Sequence, residues 1–204
     1  MLGGCGAAPD PLRTDTAPAG GRVNPAAVVT VGSSLPSGYE IAEMDGPMGA
    51  AALIGFGPGW TADPPRCAGL TDPVPGDPRS RGLSASGPGG TVFVVVAAAG
   101  GAPDTALLAE CRTWTITFVH TSAVVTQSAA PPVEGAQTLA WQAAARTVVE
   151  AGSQTNSEAT AAFAFFDGHV AFVVLVTDPG SAGPPLGARF VDGLLADTVA
   201  AVRG

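Results

Sequence analysis

The chain has 204 residues, a formal net charge of -8, 46% hydrophobic residues and only 13% charged ones, which suits one domain of ordinary size plus a tail and would leave two domains cramped. All nine basic residues are arginines, and with no cluster of positive charge to displace phosphate counterions the composition argues against nucleic acid as a partner and against electrostatic docking on anionic lipid head groups. No apolar run approaches the roughly 18 residues that span a bilayer; the longest, 92–99 and 172–176, are strand-sized.

At the start, Leu2-Gly3-Gly4-Cys5 resembles the lipobox of bacterial lipoproteins, which are cut just before a cysteine that follows a leucine and two small residues. The resemblance implies a thioether-linked diacylglycerol on Cys5, with a leader expected ahead of residue 1. Two acyl chains suffice for stable anchoring, at about 0.8 kcal/mol per buried methylene. The alternative is an ordinary free thiol in a glycine-rich stretch. Residues 6–36, rich in Ala, Pro, Gly, Thr and Asp with only Val28-Val29-Thr30-Val31 carrying any regular tendency, read as a disordered tether. This gives a lipobox remnant over 1–5, a tether over 6–36 and a folded domain over 37–204.

The domain is expected to open with a turn and a short extended piece at 35–41. Gly55-Phe56-Gly57-Pro58-Gly59-Trp60 is too rich in Gly and Pro for regular structure, and its two aromatics are expected to pin a loop to the core. Asp63-Pro64-Pro65 predicts a helix start, with Asp as N-cap and Pro at N1, for a short helix bearing Cys67. After a Pro/Gly-rich loop, 91–98 is a continuous β-branched apolar run and so a buried strand, and Asp104 is expected to cap a short helix through Cys111.

Residues 114–120 alternate strictly, with Trp114, Ile116, Phe118 and His120 on one face, which predicts a half-buried strand. The stretch 137–149 alternates in the same way. Two apolar runs, 159–166 and 169–177, are joined by Asp167-Gly168, a dipeptide that favours a two-residue hairpin. A break over 178–185 then precedes 186–203, whose apolar residues recur at helical spacing. The expected fold class is α+β: a single antiparallel sheet with a C-terminal amphipathic helix and short helices packed on it.

Cys67 and Cys111 are far apart in sequence, with no CxxC or histidine nearby to suggest metal or redox chemistry. A structural disulfide is expected, which places the chain outside the cytoplasm; the alternative is two buried reduced thiols in a cytosolic protein. His120 and His169 read as a strand-end and a sheet-rim residue. Asp45, Asp63, Asp72 and Asp77 crowd one loop-rich region, but their spacing fits no EF-hand, and turn-forming and capping roles explain them better. No catalytic residue, metal ligand or cofactor motif is predicted. Trp60, Trp114 and Trp141 are candidate linings of an apolar ligand pocket, although three tryptophans in such a domain are better explained as core.

Leu35-Pro36-Ser37-Gly38-Tyr39-Glu40, Gly55-Phe56-Gly57-Pro58-Gly59-Trp60 with Cys67 beyond it, and Phe172-Val173-Val174-Leu175-Val176-Thr177-Asp178-Pro179-Gly180 with the terminal helix together resemble an actinobacterial, mainly mycobacterial, group of exported sensor-domain lipoproteins of unknown function. More distantly, the Cys and Trp layout is similar to the extracellular sensor domain of the serine/threonine kinase PknH. The resemblance implies a disulfide-stabilised sheet domain at the outer face of the cell membrane. The kinase domain has two disulfides around a proposed cleft, whereas here Cys67 and Cys111 remain after Cys5, with no kinase and no membrane span. The expected function is therefore a non-enzymatic envelope lipoprotein domain, held to the membrane through Cys5, that binds a small or amphipathic ligand or an envelope protein. The alternatives are a structural or interaction lipoprotein without a pocket and, third, an envelope hydrolase, which would need His169 or His120 within hydrogen-bond reach of a Ser or Asp.

Overall fold

The structure, a computed structural model, describes residue 1 and residues 22–74, 76–149, 152–177, 180 and 186–204. Cys5, residues 6–21 of the expected tether and most of the expected break at 178–185 lie outside the described residues.

Among the described residues nine strands form one sheet, antiparallel at every pairing: β1 (Glu40–Asp45), β2 (Thr61–Asp63), β3 (Arg81–Gly87), β4 (Gly90–Ala98), β5 (Thr113–Phe118), β6 (Thr121–Gln127), β7 (Gln137–Val148), β8 (Gln154–Phe166) and β9 (His169–Thr177). Their order across the sheet is β1-β3-β4-β9-β8-β7-β6-β5-β2. The Asp-Gly signal is confirmed, since Asp167 and Gly168 take φ of 48° and 71°, as a turn matched to strand twist requires.

Both faces of the central strands are buried, which is why β4 and β9 read as unbroken apolar runs. On one face, Leu83, Val92, Val94, Val173 and Leu175 pack under Val191, Leu194, Leu195, Val199 and Val202 of α4 (Ala188–Arg203). The opposite face carries a layer of short pieces: α1 (Ala50–Leu53), a 3-10 turn (Pro65–Cys67), α2 (Ala68–Thr71) and α3 (Thr105–Glu110).

That second layer is too fragmentary to hold itself in place, and two kinds of link fasten it. Cys67 and Cys111 form the expected disulfide, with Cα atoms 5.7 Å apart; on the chain-entropy account, closing a loop of 44 residues stabilises by about 4 kcal/mol. Arg66 and Glu110 form an ion pair beside it. From the sheet, the buried Trp114 indole donates to Thr71 Oγ1 at 2.7 Å and the buried Trp141 indole to Leu70 O at 3.1 Å. Without these acceptors each N–H would be a buried orphan.

Three expectations are corrected. The stretch read as the end of a tether is a 3-10 helix (Pro25–Ser34) belonging to the domain: Asn24 caps it through its side chain, and Val28 and Val31, 0% and 3% exposed, pack beneath α4. Asp63 is not a helix cap but the last residue of β2, joined to Pro64 by a cis peptide bond, and the helical turn begins at Pro65. His120 lies past the end of β5, in the exposed two-residue turn to β6.

The four aspartates each have a separate local place. Asp45 pairs with Arg81 (3.3 Å), Asp77 accepts from the Ala98 and Arg79 backbone N–H groups (both 3.0 Å), and Asp72 accepts from Ala50 N–H at the start of α1 (3.1 Å). Burial raises the Asp72 carboxyl above its ordinary range, opposed by the Ala50 and Ala51 N–H groups. A raised carboxyl contributes stability at low pH that is lost as pH rises through its folded-state pKa. Asp72→Asn keeps an acceptor oxygen without the ionisation. Measured thermal midpoints should therefore move in favour of Asp72→Asn, relative to wild type, as pH rises from about 3 to about 7; midpoints that run parallel would contradict this reading.

Candidate functional site

The β8–β9 turn closes one end of the sheet, and three segments converge on it. Ala99 N–H donates to Gly168 O at 2.9 Å, laying the loop after β4 over the turn. Asp77 fixes the strand end that feeds this loop through its bond to Ala98, and the Arg79 N–H, followed by that bond, holds its carboxyl below the usual range. On the other side Gln137 opens β7 in register with Phe165, which brings the loop at 133–136 alongside.

Between these segments lies an open cavity of about 490 Å³ lined by Ala99, Gly101, Ala102, Gly135, Ala136, Phe165 and Phe166, with Gln137 and His169 also in its lining. The two phenylalanines are 6% and 5% exposed and belong to the cores on opposite faces of the sheet, so each offers the cavity little surface. The volume falls within the roughly 300–1,000 Å³ usual for small-molecule sites. Gly101 and Gly135 have φ of 139° and 64°, so two of the walls are bare backbone in a conformation that glycine tolerates best.

Arg203, the last residue of α4, holds this arrangement together. It donates from Nη1 to Glu134 O (2.6 Å), from Nη2 to Gly135 O (2.8 Å) and from Nε to Asp167 Oδ2 (3.3 Å), while its guanidinium lies 4.7 Å from the Phe166 ring centroid. One planar fork thus fixes a wall loop, the hairpin turn and Phe166, a geometry a lysine ammonium cannot reproduce. His169 places Nδ1 2.9 Å from the Asp167 carbonyl. Its partner is a backbone oxygen, and the Asp167 carboxylate is engaged by Arg203, so the Asp–His pair that the hydrolase reading needs is not formed here.

The three tryptophans fall elsewhere. Trp114 and Trp141 are sealed in the core beneath α2, and Trp60 is partly buried against the same cluster. The space among them is filled by protein, so the candidate pocket gives way to the core packing that the sequence favours. What the sequence reading missed was the joint action of Glu134-Gly135, Gly100-Gly101 and Arg203; the only local signal was the Asp167-Gly168 turn they surround. A second concave surface lies on the α4 side of the sheet beyond that helix: about 300 Å³ lined by Val124, Thr126, Gln142, Ala144, Glu158 and Thr160, with Val124 52% exposed.

The fold and site define a single-sheet α+β domain covered on both faces, with a rim cavity at one end. The chain belongs to the family described as Domain of unknown function (DUF5642), whose model matches residues 24–203. That span begins at the cap of the N-terminal 3-10 helix. Among solved structures, the uncharacterised Rv0999 ortholog from Mycobacterium smegmatis is similar in fold, with a TM-score of 0.65 and 19% sequence identity over 90% of this chain and 98% of that one. No curated protein matches.

Arg203→Ala removes a charged donor from two carbonyls and a carboxylate, which should cost about 1–3 kcal/mol. Amide exchange at 134–136 and 167–169 should accelerate more than elsewhere, and Arg203→Lys should restore only part of the protection. Uniform acceleration across the sheet would show that Arg203 serves global stability and does not specifically hold the cavity.

Proposed function

We propose that the protein is a non-enzymatic binding domain of the cell envelope, anchored at the outer face of the membrane through Cys5, which takes a small or amphipathic ligand into the rim cavity in the manner of a sensor domain. The observation that carries this reading is the cavity itself: about 490 Å³ lined by backbone, alanines and two phenylalanines, with His169 and Gln137 to orient a polar group. The disulfide supports an oxidising location, and the lipobox-like Leu2-Gly3-Gly4-Cys5 supports the anchor. Likeness to the sensor domain of PknH supports the sensory role by analogy alone.

The uncovered part of the sheet around Val124 and Ala144 favours a second reading, an interaction lipoprotein that meets another envelope protein there. Native mass spectrometry of the full chain, exported in a related actinobacterium, separates the two. The first reading predicts a stoichiometric small-molecule adduct on a protein whose intact mass shows Cys67 and Cys111 oxidised and Cys5 acylated. The adduct should disappear in Ala102→Trp, which fills the cavity. A clean mass in repeated preparations, with a co-purifying protein displaced by Val124→Glu, would replace the first reading with the second.

A further inference from the structure

We infer that the ligand of the rim cavity is a neutral, hydroxyl-bearing amphiphile taken from the membrane surface to which the domain is anchored; this rests on the binding-domain reading above and specifies its ligand. The first observation is where the chain enters the domain. Asn24 N–H donates to Val202 O at 2.8 Å, tying the start of the fold to the last turn of α4. The next residue, Arg203, is the one whose fork holds the Glu134-Gly135 wall and the Asp167 turn of the cavity. Whatever path the preceding residues take, they leave the domain at the cavity's end of the sheet. The β5–β6 and β7–β8 connections lie at the opposite end, as far away as the 13 residues of β8 extend, roughly 40 Å at about 3.3 Å per residue. A chain tethered at Cys5 therefore enters the domain beside the cavity and not at the far end.

The second observation is the chemistry of the mouth. Phe165, Phe166, Ala99, Ala102 and Ala136 give the lining apolar surface beside its polar groups, and that apolar part suits hydrocarbon. The polar side chains in its lining are Gln137, His169 and Asp167, whose carboxylate is paired with Arg203. No arginine is among the described residues that line the cavity, the neighbouring Arg203 already donates to two carbonyls and the Asp167 carboxylate, and the chain has no lysine. A phosphate would meet the Asp167 carboxylate and an Arg203 already committed to three acceptors, whereas hydroxyl groups would find acceptors.

The test uses the full oxidised chain and vesicles of neutral phosphatidylcholine carrying either a fluorescent monoacylglycerol or the matching fluorescent lysophosphatidate, with uptake read as a blue shift of the probe. The expected result is uptake of the monoacylglycerol at least tenfold tighter than of the lysophosphatidate, lost tenfold or more in both Ala102→Trp and Ala136→Trp. Each variant must first keep the wild-type thermal midpoint, and either alone suffices. Equal affinity, preference for the phosphate probe, or uptake indifferent to both variants overturns the inference. If instead the exported protein carries a water-soluble adduct that the same variants abolish, the binding-domain reading stands and the membrane source fails. If neither lipid nor adduct is found, both fail.

Discussion

Strands β4 and β9 have no side that faces water. From Val92 to Ala97 and from Val170 to Leu175 nearly every residue is buried, so the sheet they anchor must be covered twice, and most of the molecule follows from how the two covers are made. One cover is conventional, a 16-residue amphipathic helix with a 3-10 helix beside it. The other consists of helical pieces of three to six residues, far below the length at which helices stabilise themselves. It is held by the Cys67–Cys111 disulfide and by the two indoles that reach up from the sheet to Thr71 and Leu70. Tryptophans that could have lined a pocket are committed instead to fastening this layer.

Because both faces at the centre are occupied by protein, the described concavities lie where a cover ends. At the β8–β9 rim the covers leave a gap that loops close only in part, and Arg203 decides how those loops stand. In the β5–β8 half of the sheet the helical cover stops short, and the α4 side shows Val124, Gln142, Ala144 and Glu158. The first measures about 490 Å³ and the second about 300 Å³ among small and polar side chains. This difference makes the rim the better ligand site and leaves the open sheet as a contact face.

Much of this was legible in the chain. The unbroken run at 91–98, the alternation at 114–120 and 137–149, the Asp167-Gly168 turn and the periodicity of the last helix each report a strong physical constraint, and each marks an element of the structure, although the strand at 114–120 ends at Phe118 and leaves His120 in a turn. The failures share a cause, which is burial by small residues. β3 reads as a Gly/Ser loop, yet Gly82 is small because a Cβ there would come within 2.5 Å of Val94 O. β6 turns inward only Ala123 and Val125, too weak a pattern to register. The N-terminal 3-10 helix has tether composition, and its signal is a single pair, Val28 and Val31, at the spacing of three that aligns residues on a 3-10 helix. The rim cavity was invisible for a further reason: it is assembled from four segments distant in sequence, and its key residue is a terminal arginine that resembles any helix-ending cation.

The most direct measurement of the central claim is hydrogen–deuterium exchange on the exported full-length protein, compared as isolated and after extraction of bound small molecules. The account predicts that extraction deprotects amides at 99–102, 134–137 and 165–169 while β4, β9 and the layer under the disulfide stay unchanged. Differences confined to the open sheet around 124–126, 142–144 and 158–160, or no difference at the rim, would contradict it.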